Sequence, residues 1–110
     1  MSGPETLRRH LPNRREHELL TFEHDGQRFT GGIGRFSDGT VAELFVNGSK
    51  FGSAAEASAQ EAALVASLAL QHGCPLITIR HALTRQGVAG GPLGALLLAL
   101  DSECHLYVYS

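Results

Sequence analysis

Three short runs in the first half of the chain have the composition of β-strands. They cover residues 19–24, 27–36 and 40–46. The third run alternates cleanly, as strand residues do, with one face made of Ala42, Leu44 and Val46 and the other of Val41, Glu43 and Phe45. The pattern therefore predicts three consecutive strands.

Turn sequences separate these runs. Asp25-Gly26 follows the first run directly, and Asp38-Gly39 precedes the third. Aspartate followed by glycine favours tight hairpin turns, because both residues tolerate a positive φ. We therefore expect an antiparallel meander. Three glycines inside the second run indicate a bulge or a close approach of another segment: Gly31, Gly32 and Gly34.

A long helix is predicted after the meander. Ser53 and Glu56 fit the capping-box pattern, and Gly73 and Pro75 end the helical run near residue 72. The polar positions form one narrow stripe, and alanines and larger apolar residues fill the rest. We therefore expect this helix to be covered on two sides, by the sheet and by later helices or a second subunit. The stripe consists of Glu56, Gln60, Ser67 and Gln71.

The remaining chain predicts two shorter helices, over residues 75–85 and 92–100, with a glycine-bearing loop over residues 86–91. Residues 103–110 alternate in strand fashion, and this tail either adds an edge strand or frays. The fold class is α+β: a three-stranded antiparallel meander, a long central helix and two shorter helices. Residues 1–18 are predicted to form a flexible arm, residues 19–101 the domain and residues 102–110 a tail.

Composition narrows the class of protein. The 110 residues suffice for one domain, and a net charge of −2 gives no basic field to attract nucleic acid or an anionic membrane. The longest apolar run is far below the roughly 20 residues that span a bilayer. The N-terminus has no apolar signal segment, so we expect a cytoplasmic protein with reduced Cys74 and Cys104.

Two blocks of residues resemble a known domain. The first runs from Phe29-Thr30 through Gly32-Ile33-Gly34-Arg35-Phe36 and Asp38-Gly39 to Glu43, Phe45-Val46-Asn47-Gly48, Lys50 and Gly52-Ser53. The second consists of Ser67-Leu68-Ala69-Leu70-Gln71-His72-Gly73, Pro75 and Ile79-Arg80-His81-Ala82-Leu83. In order and spacing these blocks are similar to the TSCPD domain, found near the C-terminus of vitamin-B12-dependent ribonucleotide reductases and in small stand-alone proteins. The resemblance spans residues 19–97.

The resemblance implies a connection to ribonucleotide reduction without supplying a reaction, because the radical chemistry of the reductase lies in another domain. This chain also lacks the Thr-Ser-Cys-Pro-Asp sequence and the cysteine cluster behind the suggested metal-binding role of the family. We therefore expect neither a metal nor a cofactor.

A glycine-bearing loop between the third strand and the long helix is the main candidate site. A helix N-terminus carries partial positive charge, and Lys50 adds a full one, so the loop is suited to a phosphate-bearing ligand or an acidic partner. The alternative is a connection whose glycines supply positive φ and whose serine caps the helix. The candidate residues are Asn47, Gly48, Ser49, Lys50, Gly52 and Ser53, with Arg35, Arg80 and His81 as additional candidates.

Catalysis is the least favoured interpretation. Cys74 lies between His72 and His81 in sequence, so a Cys–His dyad is formally possible, but no acid or oxyanion site accompanies the thiol. The His-x-Cys spacing of His72 and Cys74 is also a poor one for a zinc site. Arg35, Asp38 and Glu43 are predicted to form surface pairs.

The expected function is a non-catalytic binding or accessory module, with ribonucleotide reductase or another nucleotide-related protein as its partner. A stand-alone nucleotide or small-molecule sensor is the alternative, and a small Cys/His enzyme comes third. The wide apolar arc of the long helix also predicts a homodimer.

Overall fold

The structure, a computed structural model, describes residues 7–11, 17–48, 52–102 and 107–109. It contains the predicted α+β fold. Its strands are β1 (His17–His24), β2 (Gln27–Arg35), β3 (Val41–Gly48), β4 (Thr84–Arg85), β5 (Val88–Ala89) and β6 (Tyr107–Tyr109). Its helices are α1 (Ala54–Gln71), α2 (Leu76–Leu83) and α3 (Pro92–Ser102).

The predicted antiparallel meander is confirmed. β1 pairs with β2 and β2 with β3, in the sheet order β3-β2-β1-β6. Asp25 and Gly26 have φ values of 55° and 75°, which is the geometry of the predicted tight turn. The tail, for which two outcomes were open, adds β6 antiparallel to β1. Among the described residues the sheet therefore has four strands, and β3 is one of its edges.

Near the glycines of β2 the structure has both an irregular pairing and a close approach of another segment. The register shifts between Gly34 and Arg35, where Ala42 of β3 is skipped in the pairing. A β-carbon at Gly31 would overlap the side chain of Leu96, so that glycine lets α3 pack directly on the sheet. Sequence alone could not identify α3 as the segment that approaches.

One layer of helices covers one face of the sheet. α1 lies along β3, and α3 packs against β1 and β3. Ala59, Ala63 and Ala66 face the sheet and are buried, so their small side chains allow α1 to approach closely. The core between the two layers contains Leu20, Phe22, Phe29, Ile33, Leu44, Val46, Leu70, Leu93, Leu96 and Leu97.

Two details differ from the sequence prediction. α2 ends at Leu83, and residues 84–89 form a small hairpin where the end of a helix and a loop were predicted. Gln86 and Gly87 turn this hairpin with φ values of 52° and 77°. Glutamine seldom adopts a positive φ, so the pair gives no recognisable turn signal. The sheet also begins at His17, two residues before the predicted domain boundary.

Candidate functional site

A buried carboxylate closes the loop between β3 and α1. Glu56 is 6% exposed, and its carboxylate oxygens accept hydrogen bonds from the backbone nitrogens of Gly48, at 3.0 Å, and Gly52, at 2.9 Å. Ser53 caps α1 as predicted, because its hydroxyl accepts from the Glu56 nitrogen at 3.1 Å. The Gly48 and Gly52 N–H groups, which the prediction assigned to an external anion, are therefore bonded to the Glu56 carboxylate of the same chain.

The predicted site residues do not form one cluster. Asn47, Gly48, Gly52 and Ser53 lie together at the start of α1, while Ser49 and Lys50 lie outside the described residues. Arg35 lies at the opposite end of β3, where it pairs with Val41.

Arg35 and Arg80 are brought together at this opposite end. They line one cavity of about 270 Å³, whose other walls are apolar. Arg35 also bonds the Glu18 carboxylate and the Gly39 carbonyl, while His81 is exposed on α2. The apolar walls are Ile33, Val41, Leu76, Leu97 and Leu100.

The polar stripe of α1 lies along the free edge of β3. The Ser67 hydroxyl accepts from the Leu44 nitrogen at 2.8 Å, and the Gln71 amide donates to the Ala42 carbonyl at 3.0 Å. An unpaired strand edge would otherwise offer these groups to other chains. The polar side chains of this stripe therefore bond backbone groups at the edge of the sheet.

A groove remains between β3 and α1, with apolar side chains exposed beside it. Leu64 of α1 lines the groove and is 62% exposed, while Phe45 borders the β3 side, 40% exposed, with its ring against His17 on the outer face of the sheet. Gln60 and Asn47 bond across the groove at 3.1 Å, next to the predicted loop. Arg8 lies at the other end, where its Nε donates to the Gln71 side chain at 2.7 Å. We call this feature the β3–α1 groove.

Sequence reasoning did not single out Phe45 or Leu64. A signal was present for Phe45, because it lies on the face of β3 opposite Ala42, Leu44 and Val46. A large aromatic side chain on the solvent face of a half-buried strand is a candidate contact residue. Leu64 carried no such signal, since the sequence does not show which arc of α1 meets the sheet.

The prediction of a surface pair at Glu43 is wrong. Glu43 is 6% exposed, and its carboxylate lies 3.2 Å from the His17 ring nitrogen Nε2. The His17 ring also meets the Phe45 ring edge to face, with centroids 5.1 Å apart. The carboxylate is covered because Gly34, on the neighbouring strand, leaves space for it.

Asp38 forms the surface contacts that were predicted for it. The Thr40 nitrogen and hydroxyl donate to its carboxylate at 3.0 and 2.7 Å, and Arg9 donates at 2.8 Å. These hydrogen bonds, the backbone bond from Thr40 first, hold the pKa of Asp38 well below its ordinary value. Arg9 also lies over the Phe36 ring, 3.8 Å from its centroid. The described part of the N-terminal arm therefore contacts the β2–β3 turn.

His72 and Cys74 lie at the end of α1, His81 lies on α2, and Cys104 lies outside the described residues. The Cys74 thiol lies 3.7 Å from the Pro75 carbonyl, and His72 Nδ1 lies 2.9 Å from the Leu68 carbonyl. Within the described ranges, no group of three or more His, Cys, Asp or Glu side chains is placed to hold a metal ion.

No helix among the described residues is both long enough and apolar enough to cross a membrane.

No family model, curated protein or solved structure matches this chain, so the likeness to the TSCPD domain stays a prediction from the residues quoted above.

Proposed function

We propose that the protein is a non-catalytic binding module that holds a protein partner in the β3–α1 groove. The observation that carries this proposal is a groove with large exposed apolar side chains on either side of it, Leu64 on α1 and Phe45 on the outer face of β3. Aromatic and aliphatic anchors surrounded by polar groups are typical of the centre of protein interfaces. Arg8 adds a positive charge at one end, which favours a partner with an acidic group beside its apolar residues.

The partner that the sequence resemblance implies is ribonucleotide reductase or another nucleotide-handling protein. The groove adjoins Asn47, the first residue of the predicted loop site, so a partner in the groove would also reach that loop. The β3–α1 groove and the predicted loop site then belong to one interface.

The test is a calorimetric titration with the ribonucleotide reductase of the same organism. We expect Leu64→Asp to weaken binding at least tenfold, because a carboxylate would replace an apolar anchor. Val88→Asp is the matched control, since Val88 is 67% exposed on the β4–β5 hairpin, outside the groove. Equal affinities for wild type and Leu64→Asp, or an equal loss of affinity in Val88→Asp, would show that the partner does not bind in the β3–α1 groove. A reductase that does not bind the wild type would remove it as the partner.

The cavity between Arg35 and Arg80 favours a second candidate, a sensor of nucleotides. Two guanidinium groups beside apolar walls suit a ligand that joins a ring to an anionic group. Titration with ATP and dATP tests this function, with Arg80→Gln as the variant and Arg28→Gln, on an exposed part of β2, as the control. Binding that Arg80→Gln leaves unchanged would exclude this cavity.

A further inference from the structure

The face of α1 opposite the core carries a regular seam. Its positions are separated by four, three, four, three and four residues, which is the spacing of the a and d positions in a heptad repeat. Every member is exposed to solvent, Val65 to 66% and Leu68 to 36%. We call this seam the α1 ridge; it consists of Ala54, Ser58, Glu61, Val65, Leu68 and His72.

The acidic, basic and apolar side chains of the ridge are arranged symmetrically. Val65 and Leu68 lie equally far from the midpoint between residues 66 and 67, and so do Glu61 and His72. A two-fold axis through that midpoint places Val65 against the partner's Leu68 and Glu61 against the partner's His72. The ridge is therefore complementary to a second copy of itself, with an apolar centre and an acid–base pair at each end.

We propose that two copies of this chain pair antiparallel through the α1 ridge in that register. His72 is oriented for this contact, because Nδ1–H donates to the Leu68 carbonyl at 2.9 Å and the other ring nitrogen is left for a carboxylate. An imidazolium donates from both nitrogens, so it bonds both groups at once.

Charge selects this register over its alternatives. A parallel pair would set Glu61 against Glu61, which repels, and would leave each His72 away from a carboxylate. An antiparallel pair shifted toward the N-terminus of α1 would set Glu61 against Val65 and leave a carboxylate unpaired on an apolar side chain. The register with paired Glu61 and His72 avoids both penalties.

The pairing is expected to be weak. An 18-residue helix is about 27 Å long, and one pair of such helices buries less than the about 800 Å² per partner of a standard stable interface. We expect dissociation constants in the micromolar range or above, so sedimentation should show monomers and dimers in exchange between about 1 µM and about 1 mM.

Two adjacent residues separate this proposal from the β3–α1 groove. Leu68 belongs to both surfaces, but Leu64 lines only the groove, whereas Val65, one residue later and about 100° around the helix, lies only on the ridge. Val65→Asp should raise the dimer dissociation constant at least tenfold and leave binding to reductase intact. Leu64→Asp should keep the dimer, because it occupies a flanking heptad position where charge is tolerated. Melting temperatures check that both variants fold.

Disulfide trapping tests the register. In a background of Cys74→Ser and Cys104→Ser, a mixture of Glu61→Cys and His72→Cys proteins should cross-link between the two variants. Either protein alone should not, because its own copies of that residue lie about 16 Å apart along the helix axis, beyond the about 7 Å that a disulfide spans. A protein that stays monomeric at the highest concentration, a dimer unaffected by Val65→Asp, or preferential cross-linking of either protein alone would overturn the proposal.

Discussion

The carboxylate of Glu43 occupies the space that Gly34 leaves on the neighbouring strand. A β-carbon at Gly34 would overlap the Glu43 side chain, which is 6% exposed and lies beside His17. Burial of a carboxylate is costly unless it is paired, so the glycine and the histidine are both needed to hold this group on the outer face of the sheet.

Gly34→Ala is therefore expected to destabilise the protein by about 1–3 kcal/mol, the usual cost of overpacking a filled space. Urea denaturation measures the effect. Gly32→Ala is the control, because its β-carbon would lie 3.2 Å from the nearest atom of Leu19 and needs only a small adjustment. In a Glu43→Ala background the cost of Gly34→Ala should fall, and an unchanged cost would show that the two side chains do not compete for this space.

The sequence predicted the features that depend on neighbours in the chain. The Asp25-Gly26 turn and the Ser53 cap follow from two to four consecutive residues, and both were found where they were expected. The burial of Glu43 could not be predicted, because it depends on Gly34 in a different strand. The same holds for the candidate site, since the closure of the loop by Glu56 and the exposure of Leu64 depend on how α1 lies against β3.

Ser67 is predicted to protect the edge of the sheet. Its hydroxyl is buried and accepts from the Leu44 nitrogen, so Ser67→Ala leaves a buried N–H without that partner. We expect a loss of about 1–3 kcal/mol in the free energy of unfolding and faster aggregation on mild heating. Ser58→Ala, an exposed change on the same helix, should shift stability by less than about 0.5 kcal/mol. Equal stabilities for the two variants would contradict this role.

Asp38 should make stability depend on pH in the acid range. Its lowered pKa means that the folded protein binds this proton less readily than the unfolded chain does. The contribution of the charged carboxylate is therefore present above the unfolded pKa of about 4 and is lost as the pH falls through the folded value. Asp38→Asn removes it, so wild type should be the more stable at neutral pH and the difference should shrink below about pH 4. Urea midpoints of both proteins across this pH range measure the difference in stability. A difference that does not change with pH would show that Asp38 is not the source of the pH dependence.

Variants of Lys50 and Ser53 test whether the loop between β3 and α1 binds a ligand or a partner. If the loop belongs to the interface, Lys50→Ala should weaken reductase or nucleotide binding by about 1–3 kcal/mol, the size of a charge-assisted hydrogen bond. Its effect on stability is expected to stay under about 0.5 kcal/mol.

Ser53→Ala should behave in the opposite way, because the Ser53 hydroxyl caps α1 by accepting from the Glu56 nitrogen. Loss of the cap costs about 1 kcal/mol of stability, while binding stays intact unless the hydroxyl also contacts the ligand. Melting temperature and calorimetric affinity, measured for both variants, separate the two roles. Glu56 already bonds the Gly48 and Gly52 nitrogens, so Lys50 is the group through which this loop would attract an acidic partner. A Lys50→Ala protein that binds as tightly as wild type would leave the loop as a connection between strand and helix.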